Sequence, residues 1–226
     1  MDVLAWDTSF FGLTIGRALV VDARDVDRAL TEARAHDVAC LYAVVPGAAA
    51  EPTAAAVHAG GVLTALRLEL QHDGKVASVR PSTVRRAVAE DAERVAEFAT
   101  LLAPASRFAQ DERFPPKRIE EMYRIWALND LRDGEVFVDT TGERGLLALS
   151  KRPPGLAVDL LFVTGDARGT GLGDDLLEGA IAEAEGSGLS VATDARNVRA
   201  VRFYESAGFR ARSLEAVLHV WLDALD

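Results

Sequence analysis

Between Val163 and Gly173 the chain reads Val-Thr-Gly-Asp-Ala-Arg-Gly-Thr-Gly-Leu-Gly, with three glycines at alternate positions behind an arginine. The segment follows a stretch with strand character and opens one with helical character. In that context successive backbone N–H groups gather at the positive end of a helix, an arrangement suited to a phosphate or diphosphate. Gly169, Gly171 and Gly173 remove the Cβ atoms that would block a close approach, and Arg168 adds a cation. The same residues would also serve as a glycine-rich turn that holds nothing. The loop lacks the Gly-Lys-Ser/Thr ending of a P-loop and the G-x-G-x-x-G spacing of a dinucleotide fold, which excludes a kinase or dehydrogenase reading here. Asp174 and Asp175 fall in the first helical turn, where the dipole favours carboxylates, and read as structural.

A second constellation lies downstream: Asn197-x-x-Ala200-x-x-Phe203-Tyr204-x-x-x-Gly208-Phe209. Asn197, Ala200 and Tyr204 share one face of a helix predicted over 197–206. Asn197 suits either a helix cap or an amide-bearing ligand. The Tyr204 hydroxyl could donate a proton inside a cleft, although a packed aromatic with a satisfied hydroxyl explains it equally well.

The elements that must position these residues follow from pattern. The 226 residues suffice for one large domain or two small ones. A formal charge of −10 disfavours nucleic acid as a partner, since phosphate neutralisation needs a basic face. The N-terminus lacks the basic-then-apolar order of a signal peptide, and no apolar run approaches the roughly 18 residues needed to span a bilayer. A soluble cytoplasmic protein without a membrane partner is expected. Cys40 is the only cysteine, so neither an intrachain disulfide nor a cysteine-rich zinc site can form, and it reads as a buried filler. His36, His58, His72 and His219 lack ligand spacing, and no metal is implied.

Along the chain, residues 3–22 suggest two short β pieces around Trp6, Phe10 and Phe11, which read as core. Helices are predicted over 22–36 and 51–59, with strands over 38–45 and 62–71. In the latter, Leu66, Leu68 and Leu70 alternate with Arg67, Glu69 and Gln71. The polar stretch 71–81 is the best boundary, dividing the chain into 1–76 and 77–226. Beyond it a strand over 83–88 precedes a helix from about Glu90. A second helix carries a stripe of Ile119, Met122, Tyr123 and Trp126. Strands over 135–139, 144–150 and 156–163 form hairpins, followed by helix, strand 189–193, helix, and a last strand or pair over 209–222. This order predicts a mixed sheet with helices on both faces.

Arg168-Gly169-Thr170-Gly171-Leu172-Gly173 resembles the Arg/Gln-x-x-Gly-x-Gly/Ala acyl-CoA diphosphate loop of the GNAT superfamily of N-acetyltransferases. The Asn197–Phe209 pattern is similar to that superfamily's next strand-helix unit, and 83–92 to its first strand and helix. The resemblance covers 82–222. It implies an α/β fold with a mixed, mostly antiparallel GNAT sheet flanked by helices, and acetyl-CoA as co-substrate. Acetyl-CoA would lie in a V-shaped gap between strands 156–163 and 189–193. The main chain near Leu161 and Val163 would pair with pantetheine, residues 168–173 would hold the diphosphate, and Leu161 or Phe162 would supply an oxyanion N–H. Asn197 is a further cofactor-side candidate. By the same resemblance Tyr204 protonates the departing thiolate. Members that use a strand glutamate as base would place it near Ala157, which cannot serve. Asp159 lies two residues on, by alternation on the face of Ala157 and Leu161, and is the candidate base; water-relayed deprotonation needs no single residue.

A bare domain of that kind needs about 140–150 residues, leaving about 80 at the N-terminus. Trp6-Asp7-x-x-Phe10-Phe11-Gly12, Ser106-Arg107-Phe108, Asp111-Glu112-Arg113-Phe114-Pro115 and Tyr123-x-x-Trp126 together are similar to the TDP-fucosamine acetyltransferase family. That resemblance implies a smaller, truncated GNAT-like domain over 1–76 and, as acceptor, the 4-amino group of a TDP-linked aminodeoxy sugar. Arg107, Phe108, Arg113 and Trp126 are the substrate-binding candidates; Lys117 and Arg118 are further local cations and Phe114 a further ring. Each could equally be core or surface. The alternatives are another small amine (amino acid, polyamine, aminoglycoside or natural-product amine) and a non-catalytic acyl-CoA-binding module. A homodimer is left open.

Overall fold

The structure, a computed structural model, describes residues 1–74, 81–133 and 135–222. The elements in chain order are β1 (Asp2–Val3), α1 (Ala5–Phe11), β2 (Ile15–Leu19), α2 (Ala23–Ala35), β3 (Cys40–Pro46), α3 (Ala50–His58) and β4 (Val62–His72). After the 76/77 division, which lies outside the described residues, come β5 (Val84–Arg86), α4 (Ala92–Thr100), α5 (Pro116–Arg132), β6 (Val136–Asp139), β7 (Gly145–Arg152) and β8 (Gly155–Val163). The chain ends with α6 (Leu172–Ala184), β9 (Leu189–Asp194), α7 (Val198–Ser206) and β10 (Arg210–Trp221).

One continuous sheet runs in the order β1-β2-β3-β10-β4-β9-β8-β7-β6-β5. Its pairings are antiparallel except β2–β3 and β8–β9. The N-terminal strand β4 is built in between the last two strands, pairing with β10 along one edge and β9 along the other. The final stretch is one long strand rather than a pair; β10 exposes both edges and engages β3 and β4 at once.

Amphipathic stripes decide which helices cover which face. In α2 the buried Val26, Ala29, Leu30 and Ala33 recur at helical period, and Asp22 caps the helix by accepting from Asp25 N–H at 2.8 Å. Leu66 packs with the α2–α3 cluster, and Leu68 and Leu70 with the α6–α7 cluster. These leucines alternate on β4, so all four helices lie on one face. The opposite face is covered by α4 and α5 over β6–β8, and by α1 with residues 103–122 over β2 and β3.

One expectation needs correction at the N-terminus. The two short β pieces are present as β1 and β2, and between them Trp6, Phe10 and Phe11 lie on helix α1, ended by Gly12 at φ 73°. The helix lets Trp6 stack on Phe10 four residues on (5.0 Å, 5° between planes). Trp6 is not core; it remains 40% exposed.

Gly155 opens β8, where Leu156 N–H donates to Gly188 O at 3.0 Å beside the first β8–β9 pair. A Cβ at Gly155 would collide with the Gly188 carbonyl oxygen and stand 2.7 Å from that of Ser187. Gly155→Ala is therefore expected to destabilise the fold by about 1–3 kcal/mol, read as a lowered urea midpoint at unchanged slope.

Candidate active site

The parallel β8–β9 ladder is short. It pairs Leu156 with Leu189, Ala157 with Ser190 and Val158 with Val191, and then stops. Past that point β8 continues against β7 to Val163, while β9 continues against β4 to Asp194. The two strands part because each is held by its other neighbour, and a V-shaped gap opens at Asp159. Thr164 N–H donates to Arg144 O at 2.9 Å, which sets the phase of the β7–β8 ladder. By alternation the main-chain groups of Leu161 and Val163 point away from β7 into the gap, whereas those of Phe162 point toward β7. The Phe162 ring is buried on the α4 side, 5.0 Å from Phe98.

Asp159 is the extra residue of a β-bulge, lying between the pairs Ala148–Leu160 and Leu149–Val158. The bulge corrects the alternation read from sequence. Val158 and Leu161 both pack toward α6, and Leu160 and Phe162 pack toward α4. Asp159 thus keeps the face of Ala157 but not that of Leu161. Its carboxylate lies 3.6 Å from the Arg152 guanidinium.

At the far end of β8 the glycine loop leads into α6. Gly169 and Gly171 have φ of 80° and 92°, values that favour glycine, and a Cβ on either would project into open space. No side chain caps α6; Asp175 N–H donates to Gly171 O at 3.0 Å, and the amides of Leu172, Gly173 and Asp174 ahead of it have no partner within the helix. Thr170 turns its hydroxyl inward to Ala167 O (2.8 Å), and Arg168 Nε donates to Val163 O at 3.0 Å, which ties the arginine to the end of β8. Gly173 permits close packing, since its Cβ would sit 3.4 Å from the Phe203 ring. Leu172 is buried in the core beneath the loop. These residues fit a diphosphate: open donors at a helix N-terminus beside a fixed guanidinium.

Tyr204 is buried on α7 beside Phe203 and Phe209, within the cluster that contains Leu177 and Val191. Its hydroxyl has no hydrogen-bond partner among the described residues, and burial alone pushes its phenol upward, so it remains protonated at physiological pH. Asn197 caps α7, its Oδ1 accepting from Ala200 N–H at 3.1 Å.

The residues singled out for substrate lie on the other face. Arg107 is enclosed, its guanidinium carbon 4.1 Å from both the Tyr42 and Phe108 rings, and Nη1 donates to His219 Nε2 at 2.7 Å. His219 Nδ1 donates to Asp111 Oδ2 (2.8 Å), which also accepts from Trp221 Nε1 (2.9 Å). Tyr42 donates to Asp7 at 3.3 Å. Phe108 and Phe114 are buried in this cluster. Arg113 is exposed, stacked 5.0 Å from the Trp221 ring, and Arg118 lies over Phe10. Lys117 is exposed. Trp126 is half-buried and meets Trp6 (5.9 Å) and Tyr123 (5.2 Å), so α1 and α5 together form an aromatic shelf. Tyr42 and His219 belong to this assembly and were missed by sequence reasoning, because only folding brings β3 and β10 under residues 106–114; Trp6 and Asp7 also belong to it and stood in the same set of motifs without being read as site residues. Asp111 could have been found from its place in the motif that supplied Arg113.

The buried His219 predicts an acid-sensitive fold. Burial, reinforced by the Arg107 charge, pushes its imidazole down to about 4, although the Asp111 hydrogen bond opposes the shift. Burial would raise Asp111, but the hydrogen bonds from His219, Trp221 and the Arg113 N–H outweigh it and hold the carboxyl below its usual range. The unfolded chain protonates His219 near 6.5 while the folded chain resists until about 4. This stabilisation is complete above pH 6.5 and is lost as pH falls toward 4, by about 3 kcal/mol; Asp111 adds a further loss below its ordinary pKa. Urea midpoints should fall over this window in the wild type and fall much less in His219→Gln.

Residues 117–219 match the model of the acetyltransferase (GNAT) domain family. The mixed, mostly antiparallel sheet that carries this stretch has the fold of the GNAT-family structures it resembles. Among solved structures, the chain is similar to a GNAT-family acetyltransferase from Novosphingobium aromaticivorans. The identity is 27% and the TM-score 0.54, covering 81% of this chain and 74% of that one. A GCN5-related N-acetyltransferase from Kribbella flavida shares the fold at 20% identity, with TM-score 0.56 and coverage of 92% and 82%. Among curated proteins, the spore coat polysaccharide biosynthesis protein SpsD of Bacillus subtilis is 27% identical over 139 residues, 58% of this chain. The chain spans about half (48%) of the length of that relative. The GNAT fold implies acetyl-CoA as co-substrate. Among the described residues no helix is long and apolar enough to cross a membrane, and no group of three or more His, Cys, Asp or Glu side chains is placed to hold a metal ion.

Proposed function

We propose that this protein is an acetyl-CoA-dependent N-acetyltransferase whose acceptor is the 4-amino group of a TDP-linked aminodeoxy sugar. The observation that carries the reading is the parting of β8 from β9 beside an uncapped, glycine-lined helix N-terminus. The edge of main-chain groups at Leu161 and Val163, where only the Val163 carbonyl is engaged, by Arg168, suits the pantetheine amides in the manner of an added strand. The amides of 168–173, with Arg168, suit the diphosphate. The Leu161 N–H is the donor placed to meet the developing oxyanion.

In this reading the neutral amine attacks the thioester carbonyl, so a C–N bond forms and the C–S bond breaks. Tyr204, protonated in its apolar surroundings, gives its proton to the departing sulfur and regains one from the nitrogen. Asp159, at the mouth of the gap, is the base that receives the first proton of the incoming ammonium.

The sugar acceptor draws on the polysaccharide-biosynthesis name of the Bacillus relative and on the aromatic shelf of Trp6 and Trp126. Flat, half-exposed rings suit stacking against a sugar or a nucleobase. The division into an N-terminal unit (1–76) and a catalytic unit (77–226) enters the same proposal, with the first unit supplying α1 and strand β4 to the site. The test is thiol release from acetyl-CoA over a panel of TDP-linked 4-aminodeoxyhexoses, amino acids, polyamines and aminoglycosides. Turnover confined to the nucleotide sugars is expected. Turnover only with other amines would remove the sugar acceptor, and tight CoA binding without turnover would leave a binding module.

A further inference from the structure

Arg107 is a largely enclosed cation without an ion pair. Its guanidinium carbon lies 4.1 Å from the centroids of both the Tyr42 and the Phe108 rings, and Nη1 donates to a neutral acceptor, His219 Nε2, at 2.7 Å. Among the described residues no carboxylate is within ion-pair distance of it. Asp111 stands behind the imidazole, accepting from His219 Nδ1 at 2.8 Å, from Trp221 Nε1 at 2.9 Å and from the Arg113 N–H at 3.1 Å. Asp7, whose charge also acts on Arg107, accepts from the Tyr42 hydroxyl at 3.3 Å. The Asp111 carboxylate fixes the proton of His219 on Nδ1 and leaves the Nε2 lone pair to Arg107. The arginine is thus held in place by a group that does not neutralise it. An arginine that only tied residues 106–111 to the sheet would be better served by a carboxylate, because a desolvated cation without a counter-charge is costly.

The surroundings suit a ligand with a ring and an anion. Tyr123 feels the Arg107 charge and meets Trp126 (5.2 Å), which in turn meets Trp6 (5.9 Å), the neighbour of Asp7. The guanidinium therefore lies beside the aromatic shelf, and Arg107 itself stays partly accessible. Strand registers place both at the open end of the gap. β9 leaves β8 after Val191 and runs on to Asp194, which pairs with Arg67 of β4; further along in the same direction, Val62 of β4 pairs with His219. His219 meets Phe108 and Phe114 on the α5 side of the sheet, whereas α6 and Tyr204 lie on the other. Between Arg107 and the gap, Ala192 of β9 is exposed on the α5 side, and Arg67 and Glu69 of β4 are only half-buried there. This strip of the sheet is open among the described residues.

We propose that Arg107 anchors a phosphate group of the acceptor, and that His219, held by Asp111, is the positioning residue that aims it. The ligand class is a nucleoside diphosphate carrying the amine: the shelf takes the base, the guanidinium takes phosphate, and the amine-bearing end follows the open strip to the gap. The inference deepens the nucleotide-sugar reading and rests on it for the amine.

The experiment titrates TDP and thymidine calorimetrically into wild type, Arg107→Gln, His219→Leu and His219→Gln, each first given saturating CoA so that the glycine loop is occupied. The wild type should bind TDP. Arg107→Gln should weaken TDP by at least about 30-fold while changing thymidine binding by less than about twofold. His219→Leu, which removes the acceptor, should weaken TDP by about tenfold. His219→Gln offers an acceptor to Arg107 and a donor to Asp111, and should recover most of that loss. With a TDP-linked 4-aminodeoxyhexose, the same losses should appear in the acceptor KM, with kcat little changed. Urea midpoints identify any variant that fails to fold; Arg107→Lys, which keeps the charge without the planar fork, should then bind TDP with intermediate affinity. Failure of the wild type to bind TDP, unchanged TDP affinity in Arg107→Gln or Arg107→Lys, or a His219→Leu loss that glutamine does not recover would overturn this inference alone. Arg107-dependent TDP binding by a protein that transfers acetyl to no amine would instead overturn the acetyltransferase reading and leave the phosphate anchor standing.

Discussion

Tyr204→Phe is expected to lower kcat by roughly 10²–10⁴ while leaving the dissociation constant for CoA nearly unchanged. The substitution removes one oxygen and no carbon. The ring packs against Phe203 and Phe209, both of which phenylalanine can satisfy. The hydroxyl makes no hydrogen bond among the described residues, so its loss strands no partner and stability should be unchanged or slightly raised. What is lost is the proton for the sulfur. Burial holds the phenol protonated, and a thiolate needs only a weak acid, so the group is matched to that task and to little else at this position. Single-turnover kinetics together with calorimetric CoA binding separate the two effects. An unchanged kcat would remove Tyr204 from the mechanism, and a matching loss of CoA affinity would make it a packing residue.

Gly171→Val is expected to abolish acetyl-CoA binding, raising the dissociation constant by about 100-fold or more. Two causes act together. At φ 92° a β-branched side chain is strained, and the first turn of α6 would shift to relieve it. The new Cβ also projects into the open space that the loop and the helix amides surround. The loop backbone is itself the recognition element, so no neighbouring side chain can compensate. Gly171→Ala serves as the graded control, because it carries the strain with less bulk and should bind with intermediate affinity. Calorimetry with CoA reads both variants, and unimpaired binding by the valine variant would place the diphosphate elsewhere.

Much of the site was legible because its chemistry is local. The donors that the glycine loop would offer a diphosphate are backbone amides, and their presentation needs only glycines between a strand and a helix, all within residues 163–173. The same holds for Asn197 as a cap and for the stripe of α6, where Leu172, Leu176, Leu177, Ala180, Ile181 and Ala184 are all buried as helical period requires. Asp130 shows where local reading stops. Near the end of α5 it looks like any surface carboxylate, yet burial, with the charges of Asp159 and Asp133, raises its carboxyl to about 7. Trp6 failed in the opposite direction, since a large aromatic reads as core until the fold is seen to leave one face uncovered.

The sequence alone determined the glycine loop, the tyrosine-bearing helix and the alternation of strands and helices, since each depends on neighbours within about a dozen residues. The tertiary structure alone decided that β4 would enter the sheet between β9 and β10, that a bulge would turn Asp159 away from the face of Leu161, and that Arg107 would be enclosed between its neighbour Phe108 and the Tyr42 ring of a distant strand. The physical reason is common to all three. Strand neighbours, bulge positions and buried charge partners are set by hydrogen-bond edges and packing surfaces that distant segments offer one another, and periodicity along the chain does not encode which of them will meet.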